Sequence, residues 1–304
     1  MSPRRPDADV PPGLLLVDKQ PGMTSHDVVA IARRALSVRK VGHAGTLDPM
    51  ATGVLVLGVG AATRLLGHLA GNDKGYAATV RFGQTTVTDD REGDVSTTTS
   101  AAGVTDDAVR AALAAQTGPL QQVPSSVSAV KVGGVRSYDR VRAGEDVELA
   151  PRSVTVHALD VLAVRRPTPD LVDVDVEVTC STGTYIRAIA RDAGAALGVG
   201  GHLTALRRTR SGPFDQSAAR GVADAADALL AGGGAGFVPL TEAAAAVFPV
   251  RPVTADEAVD LGHGKRVAAT GTPGLHAAVD PDGRLVALVV DAGPTAKVEV
   301  GFPG

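Results

Sequence analysis

Tryptophan is missing from this 304-residue chain, and only five phenylalanines and three tyrosines stand in for it. The core must therefore rest on Val, Leu, Ala and Ile. The single cysteine, Cys180, excludes an internal disulfide framework and a Cys-based zinc site. It follows VDVEVT, which makes it a buried strand residue rather than a nucleophile. The seven histidines are scattered, with no HExxH and no close ligand pair, so no structural metal is expected. There is no GxxxxGK[ST] loop, and GVGAAT at 58–63 is too short a match for a dinucleotide fingerprint. No run approaches the roughly 18 apolar residues of a membrane span. MSPRRPDADVPPG lacks the apolar stretch of a secretory signal. A soluble, cytoplasmic protein with no membrane partner is expected.

What is present is an ordinary globular composition, 44% hydrophobic and 21% charged, with a net charge of −3. A negative total argues mildly against a nucleic-acid partner. Locally, however, the charge is segregated. Arg33, Arg34, Arg39 and Lys40 form one basic group, Arg207, Arg208 and Arg210 a second, and Arg140, Arg142 and Arg152 a third. Acidic residues gather at 89–94 and 170–177. Such segregation lets one face bind phosphates despite the total, although each cluster alone reads more readily as a solvated surface.

Along the chain, residues 1–12 read as a disordered tail. Strands are expected at 13–17, 54–59, 74–82, 154–164, 171–180 and 203–209, the last short or at an edge. Helices are expected at 24–36, 61–69, 105–116 and 184–197. Residues 84–102 read as an exposed loop, and 231–236 as a flexible Ala/Gly stretch. Beyond 248 a short helix precedes strands near 275–279, 285–290 and 296–300, with the turn signal DPDG at 280–283. The division expected is a tail at 1–12, a catalytic domain at 13–247 and a small β-rich domain at 248–304. The mixed order of elements, without a βαβ rhythm, predicts an α+β (mixed α/β) fold with a central, largely antiparallel sheet flanked by helices.

The most informative stretch is VGHAGTLDPMATGVLVLGVG, 41–60. Pro49 pushes Asp48 away from helical geometry, so Asp48 sits on a defined loop that feeds an apolar strand. A carboxylate there is suited to be held rigidly in a cleft, but Asp-Pro is also a common turn starter.

GLLLVDKQPGMTS, GHAGTLDPMATGVL, DKGYAATVRFGQTT, SAVKVGGVRSYDRVRAG, STGTYIRAIARDAG and HLTALRR follow one another in order. Together they resemble the TruB-type tRNA pseudouridine synthases over roughly 13–215. That resemblance implies a pseudouridine-synthase fold and isomerisation of uridine 55 in the tRNA T loop. The uracil N1–C1′ bond breaks, the base turns, and a C5–C1′ bond forms. No cofactor is implied. It also implies that Asp48, of G-x-L-D-P, is the catalytic carboxylate, and that Arg187, of GTYIR, keeps it ionised by lowering its pKa. His43 would fill the gap left by the extruded base. Tyr76 would stack on the uracil and handle a proton, while Tyr185 and Leu206 would contact the base. Lys19, Arg207 and Arg208 would be phosphate contacts. Asp90 matches an acidic position whose role is open. The last part is similar to the small PUA-like RNA-binding domains, and tRNA is the implied partner of a monomeric chain. Ser125 departs from the family, which usually shows a second proline after Pro124; this alters one turn away from the chemistry.

Two other readings compete. One is a tRNA-binding, folding-chaperone role without essential catalysis, which the basic clusters alone would serve. The other is glycoside cleavage, which needs a second carboxylate facing the first, and only Asp90 is a candidate.

Overall fold

The computed structural model describes residues 10–125, 131–132, 135–136 and 149–302. Most of the expected tail, together with Tyr138, Arg140 and Arg142, lies outside the described residues. In chain order the first half contains β1 (Gly13–Lys19), α1 (Ser25–Leu36), β2 (Val41–His43), β3 (Thr52–Val59), α2 (Leu66–Ala70), β4 (Lys74–Phe82), β5 (Gln84–Thr86), β6 (Val95–Thr98), α3 (Asp106–Ala114) and β7 (Gly118–Gln122). Next come β8 (Lys131–Val132), β9 (Val135–Arg136), β10 (Arg152–Thr168), β11 (Leu171–Cys180), α4 (Ile186–Ala196), β12 (Gly201–Ser211), β13 (Phe214–Asp215), α5 (Val222–Leu230), β14 (Phe237–Pro239) and α6 (Leu240–Ala245). The last elements are β15 (Val250–Pro252), α7 (Ala255–Gly262), β16 (Val267–Ala268), β17 (Leu275–Val279), β18 (Leu285–Ala292) and β19 (Thr295–Gly301). No helix of the described residues is long and apolar enough to cross a membrane.

The large sheet runs β14-β1-β3-β12-β4-β11-β10-β7, with β2 beside β3 and β13 beside β12. Every pairing in it is antiparallel except β12 with β3. A second sheet, β15-β17-β18-β19-β16, is built wholly from residues 250–301. This is the mixed, largely antiparallel arrangement expected. β11 shows the simplest pattern: Val172, Val174, Val176 and Val178 are buried, whereas Glu177 on the other face is exposed. β3 does not alternate. Leu55, Leu57 and Val59 enter the main core, while Val54 and Val56 enter a second cluster with Leu14, Leu16, Ala277, Leu288 and Phe302. Its unbroken apolar run thus reflects burial on both faces, one of them under residues of the C-terminal sheet.

Two expectations need correction. The strand read at 203–209 as short or edge-like is β12, an eleven-residue strand between β3 and β4 in the middle of the sheet. Its Arg-Arg-Thr-Arg sequence hid it, because those side chains look like surface. The loop at 84–102 folds into the β5–β6 hairpin and carries Asp90 into the interior at 2% exposure. The stretch at 231–236 leads directly to β14, and the Leu16 N–H donates to the Gly236 carbonyl at 2.8 Å.

Candidate active site

Asp48 stands on the loop between β2 and β3, and the loop is gripped from several elements. Ser25, the first residue of α1, accepts from the Leu47 N–H at 2.9 Å and donates to the Leu47 carbonyl at 3.2 Å. The Pro49 carbonyl accepts from the Gly22 N–H at 2.9 Å and from Lys19 Nζ at 3.1 Å. The Asp48 carbonyl accepts from the Ala51 N–H at 3.1 Å, closing the turn that Asp-Pro begins.

Across the cleft, α4 begins at Tyr185, whose side chain makes no cap hydrogen bond. Its place is set instead by Gln122 at the end of β7. Gln122 Oε1 accepts from the Tyr185 N–H at 2.7 Å, and Nε2 donates to the Tyr185 carbonyl at 3.0 Å. Two residues on, Arg187 projects at the carboxylate: Nη2 donates to Asp48 Oδ1 at 3.1 Å, and Nε lies 3.1 Å from Oδ2. The guanidinium thus meets both carboxylate oxygens, one through a charge-assisted hydrogen bond and the other as an ion-pair contact. The Arg187 side chain is 4% exposed and that of Asp48 32%, so the pair seals inward and leaves the carboxylate open to the cleft. Arg187 Nη1 also donates to the Thr88 carbonyl at 2.8 Å and lies 3.5 Å from Asp90 Oδ2. Asp90 is itself held by Thr88 Oγ1 at 2.5 Å and by the Glu92 N–H at 3.0 Å.

Asp48, Tyr76, Tyr185, Arg187, Leu206 and Arg208 share the walls of one cavity of about 430 Å³, with Lys74 at its side. Lys19, His43 and Arg207 are outside that lining. His43 ends β2 and meets the His26 ring edge-on, with centroids 5.4 Å apart. The phosphate-contact expectation does not fit two of its three residues. Lys19 and Arg208 are each 1% exposed, and both donate to main-chain carbonyls. Arg207 keeps more exposure but forks onto Asp18 at 2.9 and 3.0 Å.

Burial sets the protonation states. Removal from water pushes the Asp48 carboxyl above its ordinary value, and Arg187 pulls it back. The lowering expected from Arg187 is therefore present, but burial outweighs it. Burial also raises the Tyr76 phenol, which stays protonated near neutral pH. It lowers Lys19 and Lys74 each to about 8. Sequence reasoning missed Gln122, Thr88 and Lys74. Lys74 stood two positions before Tyr76 in a matched segment and could have been flagged. Gln122 acts on the backbone of distant Tyr185, and Thr88 acts through its own carbonyl on the distant Arg187 side chain, so neither leaves a signal. What the site offers is a carboxyl group, a buried phenol and a guanidinium around a space large enough for a nucleoside, with apolar walls from Leu206 and Ile186.

Comparison with known proteins agrees with this layout. The family model for the TruB family pseudouridylate synthase N-terminal domain matches residues 33–186. Two models for C-terminal parts of tRNA pseudouridine synthases match 187–232 and 248–303. The tRNA pseudouridine synthase B of Arthrobacter sp. is 56% identical over 300 residues, covering 95% of this chain and 96% of the relative. That of Cutibacterium acnes is 57% identical over 278 residues, covering 91% and 92%. Among solved structures, a chain of a Cbf5-Nop10-Gar1 complex superposes with a TM-score of 0.72 at 28% identity, covering 96% of this chain and 85% of that one. A chain of an H/ACA ribonucleoprotein bound to a substrate RNA containing 2′-deoxyuridine gives 0.71 at 26% identity, covering 96% and 85%. With its fold, its cleft and these matches in agreement, the chain belongs to the TruB family of pseudouridylate synthases.

Proposed function

We propose that this pseudouridine synthase isomerises uridine 55 in the T loop of tRNA, with Asp48 as the carboxylate that acts on the nucleoside. The observation that carries the reading is the Asp48–Arg187 ion pair at the wall of a cavity shared with Tyr76, Tyr185 and Leu206. The substrate class follows the relatives, which are named tRNA pseudouridine synthase B at 56% and 57% identity. The uridine leaves the stack, which costs a few kcal/mol or so, and its ring lies on Tyr76 with Leu206 and Tyr185 beside it. His43, just ahead of the catalytic loop, takes the place of the departed base. The Asp48 anion works at the sugar–base junction while N1–C1′ breaks and C5–C1′ forms. The C5 hydrogen leaves as a proton and N1 takes one up, so the reaction is balanced without an outside reagent. Tyr76, kept neutral by burial, is in place to move one of these protons.

Residues 13–247 form the synthase in this reading, and 248–304 a PUA-like RNA-binding unit. The chain works as a monomer in the cytoplasm. The test is tritium release from tRNA labelled at uridine C5, for the native protein and Asp48→Asn. Release that maps to the T loop and vanishes in Asp48→Asn supports the reading. Tight tRNA binding without release overturns it in favour of a chaperone role.

A further inference from the structure

Arg208 heads the described side chains that are almost wholly enclosed, by size, yet it carries a charge. A buried guanidinium is expensive unless its donors are satisfied. Arg208 directs them onto main-chain carbonyls: Nε to Val54 at 2.7 Å, Nη2 to Gly45 at 3.2 Å and Nη1 to Thr46 at 3.4 Å. Gly45 and Thr46 begin the loop that ends in Asp48, and Val54 lies on the strand the loop feeds. One side chain therefore spans both ends of the catalytic loop.

The same residue is the cross-strand partner of Tyr76 in the β12–β4 ladder, and of Gly53 in the β12–β3 pair. Directly opposite residues of an antiparallel pair place their side chains about 5 Å apart on one face. Both Tyr76 and Arg208 line the cavity, and the guanidinium is close enough to act on the Tyr76 hydroxyl by its charge. On the other side Gly53, at φ +95, lets the chains touch: a Cβ there would fall 2.2 Å from the Arg208 carbonyl oxygen. A guanidinium donates and cannot accept. A hydrogen bond formed between the two in the bound complex could only have the phenolic oxygen as acceptor, which would leave the phenol's own hydrogen to point into the cavity.

We propose that Arg208 is a positioning residue for the isomerisation, holding the Asp48 loop and the Tyr76 hydroxyl in one frame and aiming the Tyr76 O–H at the bound base. The proposal rests on the roles given to Asp48 and Tyr76 above. It replaces a phosphate contact, which would weaken RNA binding when lost, with an internal brace, which weakens the chemical step.

The experiment is single-turnover tritium release at saturating tRNA, with the tRNA dissociation constant measured in parallel, for native protein, Arg208→Lys, Tyr76→Phe and the double variant. Lysine keeps the charge but its single ammonium cannot span Val54 and Gly45 together. Arg208→Lys is expected to bind tRNA within about 3-fold of native and to lose about 100-fold in rate, the scale of a small misplacement of reacting groups. In the Tyr76→Phe background the same change is expected to cost about 10-fold or less, because part of its action runs through the lost hydroxyl. The proposal is overturned if the loss appears in tRNA affinity with the saturated rate unchanged, or if the two substitutions multiply independently. Arg208→Gln serves if Arg208→Lys does not fold, and failure of both to fold also overturns it, making Arg208 a structural residue only. Absence of release by the native protein would instead sink the functional reading, which keeps the two failures distinct.

Discussion

At the scale of single residues, Asp48 must satisfy opposed demands: in the proposed reaction it works as an anion, yet it sits where burial favours the neutral acid. Arg187 reconciles them by pairing with both carboxylate oxygens. The acid limb of the rate should therefore lie above the roughly 3.9 of an unperturbed aspartate. Arg187→Gln removes the contribution that lowers the pKa, so the limb moves further up, and the rate at pH 6 falls more than the rate at pH 8. A single-turnover pH profile of the two proteins checks this, and an unmoved limb would show that another group sets it. Lys19 gives a second pH effect, in which the same cause, burial, acts on a cation. Its ammonium is buried under the Pro49 carbonyl and its pKa drops from 10.5 to about 8. Between those values the native state holds fewer protons than the unfolded chain, so stability rises with pH across the window and is insensitive to this group below about 8. Relative to Lys19→Met, the native protein should gain stability from pH 8 to 10.5, on the order of 3 kcal/mol at the top. Urea unfolding at several pH values measures it. Neither pKa was legible in the sequence. Asp48 and Arg187 are 139 positions apart, and no spacing rule joins them. Their roles came from the matched motifs, and their pairing only from the fold.

At the scale of elements, α4 shows what local patterning conveys and what it omits. Its helical stretch was expected at 184–197 and spans 186–196, because Ile186, Ile189, Ala190 and Ala193 repeat at helical spacing on a buried face. The pattern says nothing about how closely the helix approaches its neighbours. Gly194, inside the helix, lies so near the turn before β12 that a Cβ would fall 2.3 Å from Gly200 C and Gly201 N. A mid-helix glycine ordinarily costs about 1 kcal/mol relative to alanine, and here the close packing explains its presence. Gly194→Ala should reverse the usual helix-propensity gain and destabilise the protein by about 3 kcal/mol or more, since backbone cannot yield as a side chain can. Chemical unfolding would show it, and a stabilised variant would refute the contact. The other end of α4 depends on Gln122 in the same way. Gln122→Ala removes the Gln122 partner of the Tyr185 N–H and one of the donors to its carbonyl, which keeps the Ala188 and Ile189 N–H groups; this should cost about 1–3 kcal/mol and slow the single-turnover rate because Arg187 follows two residues later.

At the scale of the whole molecule, the two sheets share material. Leu14, Leu16, Val54 and Val56 of the large sheet pack with Ala277, Leu288 and Phe302 of the C-terminal region. Polar links accompany them: Thr241 Oγ1 accepts from the Leu285 N–H at 3.0 Å, and Arg64 donates to the Gly301 carbonyl. The sequence announced a change of pattern near 248 but not this cover, because an unbroken apolar strand looks the same whatever lies on its second face. The consequence reaches the active site. Val54, buried in the shared cluster, is also the residue whose carbonyl holds Arg208 Nε. Phe302 is 5% exposed and distant in sequence from any catalytic motif. Phe302→Ala should nevertheless cost about 3–5 kcal/mol and lower the melting temperature of the whole chain, because Phe302 belongs to an apolar cluster that takes residues from both sheets. Calorimetry is expected to show one transition moved as a unit. A low-temperature peak that splits from an unmoved main peak would instead show that the two sheets unfold independently, and that β3 keeps its place without the cover.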